Sequence, residues 1–181
     1  MMTRSCGVRL GGLESLMTLP TGGPRGLGLS PGLTETGDQQ STSANDSDIL
    51  HGEVVAVVLT WRGRIGLFKR SHAVHSDRGL WHCISGYVDP GCSPVSQAIK
   101  EVYQETGLGV SELKQVRIGP ALPLPDPRGG SWIVHTFRAD TERRRLDLNW
   151  EHDDYRWVKP QNVRRFFGRV EWLDQVVSLE I

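Results

Sequence analysis

The stretch Gly86 to Leu108, GYVDPGCSPVSQAIKEVYQETGL, decides the fold. It joins a glycine loop to a helix with clear start and stop signals and two acids one helical turn apart. Ser93 is a good N-cap, and Pro94 suits the first helical position, where its missing N–H costs nothing. Gly107 supplies the left-handed conformation that ends a helix. Between them Val95, Ala98, Ile99 and Val102 recur at i, i+3, i+4 and i+7, the period of an amphipathic helix. At about 100° per residue, Glu105 falls beside Ala98 and Val102, and Glu101 lies just beyond. Two carboxylates therefore border the buried stripe, where a charge is costly unless it is paired or bound to a metal. Such a pair can present oxygens to one hard cation, Mg²⁺ or Mn²⁺, with the neutral amide oxygen of Gln104 between them. The competing reading is a surface helix whose acids are simply solvated.

Working outward, composition changes at His51. Residues 1–50 are rich in Gly, Ser, Thr and Pro without an apolar period, and read as a disordered leader ahead of a domain at 51–181. EVVAVVLTW (53–61) has the β-branched, nearly continuous apolar pattern of a strand buried on both faces. IGLFKR (65–70) and LWHCIS (80–85) read as further strands, the second leading into the Gly86 loop. After the helix at 93–106, strands are expected at 113–122, 131–140 and around 154–158, with PLPDPRGG as a turn or loop. Pro160 opens a helical turn, and VEWLDQVVSLE (170–180) reads as a closing amphipathic helix. Strands and helices do not alternate regularly, which implies a mixed sheet flanked by helices, an α/β (α+β) arrangement and not a Rossmann or barrel fold.

Lys plus Arg and Asp plus Glu each number 21, and the first 50 residues hold 3 of the bases and 5 of the acids. Neither part has the strong positive field of a nonspecific nucleic-acid binder. The three cysteines, Cys6, Cys83 and Cys92, form no CxxC pair, so zinc and a disulfide framework are not indicated and reduced thiols are expected. No apolar run approaches the ~18 residues of a membrane span, and the first residues lack a secretory core. A cytoplasmic protein is expected, with no nucleic-acid or membrane partner.

The loop and helix resemble the Nudix family, whose signature is G-x5-E-x7-R-E-U-x-E-E-x-G-U with U a bulky aliphatic residue. Gly86, Glu101, Val102, Glu105, Gly107 and Leu108 match; Cys92, Lys100 and Gln104 depart from it. FKRS before the loop, LWHCISGYVDPG into it and EHDDYRWVKP after the long strand extend the likeness. The resemblance implies a Nudix-type α/β/α sandwich and a Mg²⁺- or Mn²⁺-dependent hydrolase cleaving a pyrophosphate bond in a nucleoside diphosphate linked to another moiety. It implies metal-holding roles for Glu101, Gln104 and Glu105, with Glu101 able to serve as base. A further metal-binding or water-activating glutamate is expected at Glu151, ahead of Asp153 and Asp154. In typical members a Glu–Arg pair braces the loop; Cys92 and Lys100 take those places, so the brace is expected to be lost. A homodimer is compatible with the resemblance.

Lys69, Arg70 and Arg78 flank the strand and loop that face the signature and are candidate phosphate contacts, as charge-assisted bonds favour Lys and Arg. Gly86 lets a substrate approach the backbone. His82 and His135 read as satisfied strand histidines, and Trp81, Trp150, Trp157 and Trp172 as core or interface. Because Gln104 removes a charge, the alternative is a catalytically weak or inactive Nudix-fold module that binds a nucleotide or partner. An isomerase acting on isopentenyl diphosphate ranks last, since no His-rich metal set is evident.

Overall fold

In the computed structural model, residues 17–18, 50–126 and 129–179 are described. β-Branched and aromatic runs become the strands β1 (Met17–Thr18), β2 (Leu50–Trp61), β3 (Arg64–Arg70), β4 (Trp81–His82), β5 (Ile84–Tyr87), β6 (Leu113–Pro125), β7 (Ser131–Thr141) and β8 (His152–Val158). The helices are α1 (Pro94–Thr106) and α2 (Leu173–Ser178), with 3₁₀ turns at Val110–Glu112 and Pro160–Arg165. Strand order is β1-β6-β7-β2-β3-β4, with β5 added to β2 and β8 to β3. The central pair β2/β7 is parallel, whereas β2/β5, β3/β8 and β6/β7 are antiparallel. The sheet is mixed, as expected. Of the proposed leader, Met17–Thr18 pair in parallel with Val116–Arg117, and residues 1–16 and 19–49 lie outside the described residues.

Alternation along the strands divides the core in two. Val55, Val57, Leu59, Phe68, Ile84 and Phe137 point to the face covered by Ala98 and Val102 of α1. Ala56, Val58, Ile65, Leu67, Cys83 and Val134 point to the other, covered by Leu173 and Val176 of α2. Burial on both faces is what the unbroken apolar run of β2 predicts.

Three elements differ from the sequence reading. LWHCIS is not one strand: β4 pairs with β3 and β5 with β2, and the chain changes partner at Cys83. β6 runs through Pro125, into the stretch read as a loop. Pro123 and Pro125 fall where β6 has β7 alone as a neighbour among the described residues, the edge position at which proline is tolerated. The last helix is Leu173–Ser178, shorter than 170–180. Its start is delayed because the chain before it bonds to the sheet, with Trp81 donating to Gly168 O (2.7 Å) and Val170 donating to Trp81 O (3.0 Å).

Candidate functional site

The caps of α1 form as its sequence directs. Ser93 is extended and its hydroxyl accepts from Ser96 N (3.2 Å), while Gly107 closes the helix at φ 70°. α1 thereby lies on β5 with Glu101 against Gly86, where an added Cβ would sit 2.2 Å from Glu101 Oε1. Gly86 is therefore fixed by the acid beneath it, in a conformation other residues could adopt.

Glu105 is only 1% exposed, deeper than the border position expected. Its Oε1 accepts a long bond from Ser85 N (3.4 Å), and Oε2 has no hydrogen-bond partner. Burial pushes its pKa well above the ordinary carboxylate value, and the charges of Glu101 and Glu151 push the same way, against the weaker pull of Ser85 N–H and Arg70. Glu101 is half-buried and also raised, first by burial and opposed by a hydrogen bond from Gln97, with Glu151 raising it further. Three carboxylates are thus near enough to repel one another. Glu151 precedes β8 in a turn whose backbone accepts from Ser71 N (2.7 Å).

The other expected residues divide. Strand alternation places Arg70 on the α1 face with Phe68, and its charge acts on Glu105, His82 and His152. Lys69 follows Leu67 to the α2 face, away from the acids. Arg78 is exposed, and its Nε donates to Val74 O within the 71–79 loop. Gln104 is exposed on α1. Trp150, read as core or interface, is 68% exposed beside Glu151. Of the stretch PLPDPRGG read as a turn or loop, all but residues 127–128 is described.

Two features went unread in the sequence. First, His82 does not stand as a lone strand histidine. Its Nε2 lies 2.9 Å from Nε2 of His152, with the rings stacked, and His152 Nε2 lies 3.6 Å from the unpartnered Glu105 Oε2. Burial, the neighbouring ring and Arg70 hold His82 well below its usual pKa; burial and Arg70 lower His152 to about 4. Both rings are held towards the neutral form, which gives Glu105 no counter-charge. The pair spans 70 positions, and no local spacing announces it. Second, the loop brace is rebuilt. Lys100 forms an ion pair with Asp89, and Gln97, 1% exposed, accepts from Asp89 N (3.3 Å) and donates to Glu101 Oε1 (2.6 Å). The expectation that the brace is lost is corrected, because Asp89 takes over the role at a position the signature leaves open. The cysteines also differ from expectation. Cys83 is a buried free thiol whose pKa is raised to about 12 by burial and by Glu105, while Cys92 takes part in a disulfide.

Among the described residues, no three His, Cys, Asp or Glu side chains gather closely enough to hold an ion by themselves. The donor chemistry nevertheless suits a hard divalent cation: an orphaned buried carboxylate oxygen on Glu105, within electrostatic reach of Glu101 and Glu151, all of them oxygen donors. No described helix is long and apolar enough to cross a membrane.

The sequence model of the NUDIX domain matches residues 50–178. A curated relative, the NAD-capped RNA hydrolase of Schizosaccharomyces pombe (strain 972), is 25% identical over 100 residues, covering 55% of this chain and 25% of that protein. The match thus spans about a quarter of the relative's length. Among solved structures, the MutT protein of Methanosarcina mazei Go1 superposes with a TM-score of 0.62 at 19% identity, covering 72% of this chain and 91% of that one. The NUDIX domain of Shewanella oneidensis NrtR, complexed with ADP ribose, gives 0.58 at 16% identity, with 77% and 88% covered. The E. coli dihydroneopterin triphosphate pyrophosphohydrolase gives 0.58 at 17% identity, with 69% and 91% covered. These structures share the α1-on-mixed-sheet fold, and the domain match over most of the chain means that this protein belongs to the Nudix family.

Proposed function

We propose that the protein is a divalent-metal-dependent hydrolase of a nucleoside diphosphate linked to another moiety. The observation that carries the reading is the unpartnered, buried Oε2 of Glu105 beside Glu101 and Glu151. An unpaired buried carboxylate persists only where something offsets its cost. Glu105 and Glu101 would hold Mg²⁺ or Mn²⁺, with Gln104 and Glu151 available at the rim. The ion supplies charge neutralisation and polarisation of the diphosphate. Arg70, on the same face, steers and binds phosphate oxygens, and Gly86, expected to let a substrate approach the backbone, instead leaves room for the Glu101 carboxylate. Glu101 is the better base of the two candidates on geometry, since Gln97 fixes its direction. Glu151 is the second candidate.

The relatives' names support the substrate class, since NAD and ADP ribose both join a nucleoside through a diphosphate. On this reading the protein acts on small molecules. The test is a screen of nucleoside diphosphate derivatives with Mg²⁺ and Mn²⁺, with Glu105→Gln as the blank. Metal-dependent release of mononucleotide that disappears in Glu105→Gln supports the reading; full activity in that variant refutes it.

One observation favours a second reading, a nucleotide-binding module without turnover: Gln104, at a position where the family carries a metal-holding glutamate, is neutral and exposed. Calorimetry separates the two, because such a module would hold ADP ribose in Mg²⁺ without producing any new phosphate species.

A further inference from the structure

Gln97 is a long polar side chain buried to 1% exposure on a helix whose other buried residues include Ala98, Ile99 and Val102. Burying an amide there costs free energy unless its groups are bonded. Both ends are bonded, and to different parts of the site. The atom facing Asp89 N must be the amide oxygen, because a backbone N–H can only donate; the amide nitrogen is then the end facing Glu101 Oε1. The 2.6 Å contact is short, as expected where the acceptor is ionised. One oxygen of Glu101 is thus committed to Gln97, and the carboxylate is pinned between that amide and the backbone at Gly86. Asp89, which fixes Gln97 through its N–H, is itself tied to α1 through Lys100.

We infer that Gln97 is a positioning residue: it couples the glycine loop to the direction of the Glu101 carboxylate, so ion affinity depends on a side chain that is not a ligand. This rests on the reading of Glu101 and Glu105 as an ion site. Gln97 fixes which Glu101 oxygen stays free, and carries the loop's position to it. The arrangement compensates in part for Gln104, since an ion held by fewer charges gains more from carboxylates that need no reorientation.

The test is Mn²⁺ binding to the full chain, read by electron paramagnetic resonance of free Mn²⁺, for wild type, Gln97→Leu and Gln97→Asn, alone and combined with Glu101→Gln. Leu matches the volume of Gln without its bonds, and Asn keeps an amide too short to span Asp89 and Glu101. Outer-shell partners are typically worth about 10- to 100-fold in metal affinity, so each single variant is expected to weaken Mn²⁺ by that factor. In the Glu101→Gln background the effect should vanish, because Gln97 acts through that carboxylate. A purely structural role would lower the melting temperature and weaken binding equally in both backgrounds, which overturns the inference. Wild-type-like affinity in both variants overturns it as well. Should Gln97→Leu fail to fold, Gln97→Asn gives the reading. Wild type that binds no Mn²⁺ removes the ion site and the inference together, a result distinguishable from loss in the variants alone.

Discussion

Gly86→Ala places a methyl group where the Glu101 carboxylate now lies. The new Cβ would stand 2.2 Å from Oε1, 2.3 Å from Cδ and 2.9 Å from Cγ, whereas real Cβ contacts stay beyond 3.0 Å. Oε1 must therefore retreat by at least 0.8 Å, the gap between 2.2 and 3.0 Å. A carboxylate end moves easily when free, but this one holds the 2.6 Å bond from Gln97. Losing a hydrogen bond to a charged acceptor costs about 1.5–3 kcal/mol. Gly86 is outside the left-handed region, so alanine fits the backbone and returns roughly 0.4–1 kcal/mol by restricting the unfolded chain. The net destabilisation is then about 0.5–2.5 kcal/mol, a few degrees in melting temperature for a chain of this size. The effect on function is larger, since a displacement near 1 Å in a catalytic group costs on the order of 10²-fold. Urea unfolding and metal-dependent turnover, measured on the same preparation, separate the two magnitudes. Unchanged turnover and unchanged Mn²⁺ dependence in Gly86→Ala would refute the placement of Glu101 at the reacting centre.

Other outcomes follow from the same geometry. Gly107→Ala forces a side chain into φ 70° with its Cβ 3.2 Å from Asp147 Cβ, and should cost roughly 1–2 kcal/mol in urea unfolding. Lys100→Met breaks a pair whose partners are 31% and 51% exposed, so it should cost only about 0.2–1 kcal/mol; a larger loss would mean the brace rests on Lys100 rather than on Gln97. Without divalent ion, pH acts on the site from two sides. The folded pKa of Glu105 is raised above its unfolded 4.5, so its contribution to stability is full below 4.5 and lost as pH rises through the folded value. His152 is lowered from 6.5 to about 4, so its contribution is full above 6.5 and lost as pH falls towards 4. Thermal melts of Glu105→Gln in chelator should show a smaller decline on the alkaline side than wild type, with the acid side retained; an unchanged alkaline decline counts against the buried carboxylate as its source.

What could be read from the chain beforehand was whatever depends on near neighbours. The caps at Ser93 and Gly107 and the i, i+4 acids on the buried face are local, and α1 forms within a residue of its expected limits. β2 and β7 were legible because burial on two faces leaves an apolar or alternating run. What escaped was set by distant contacts. His82 and His152 meet only because β4 and β8 both pair with β3. The partner of Glu101 was hidden for a similar reason: nothing in a buried glutamine's own sequence context says which backbone N–H will meet it. Lys69 and Arg70 looked equivalent as neighbours, yet a strand turns adjacent side chains to opposite faces. The late start of α2 followed from the capture of Gly168 and Val170 by Trp81, a competition that periodicity cannot show.

The parallel pairing of β2 with β7 also governs when the site can exist. Leu50 meets Ser131 and Trp61 meets Thr141, partners about 80 positions apart. Closing such a loop costs on the order of 4 kcal/mol in chain entropy before the contacts repay it. Folding is therefore expected to be slow and late, as for other chains of high contact order. During synthesis at about 5–20 residues per second, several seconds separate the emergence of β2 from that of its partner. Once α1 is made and until β7 emerges, Glu101 and Glu105 sit on a helix whose sheet is incomplete, and Glu151 is not yet made. Glu151 joins the two helix acids only after the central strands are made, so on the proposed reading the nascent chain would gain its ion site late.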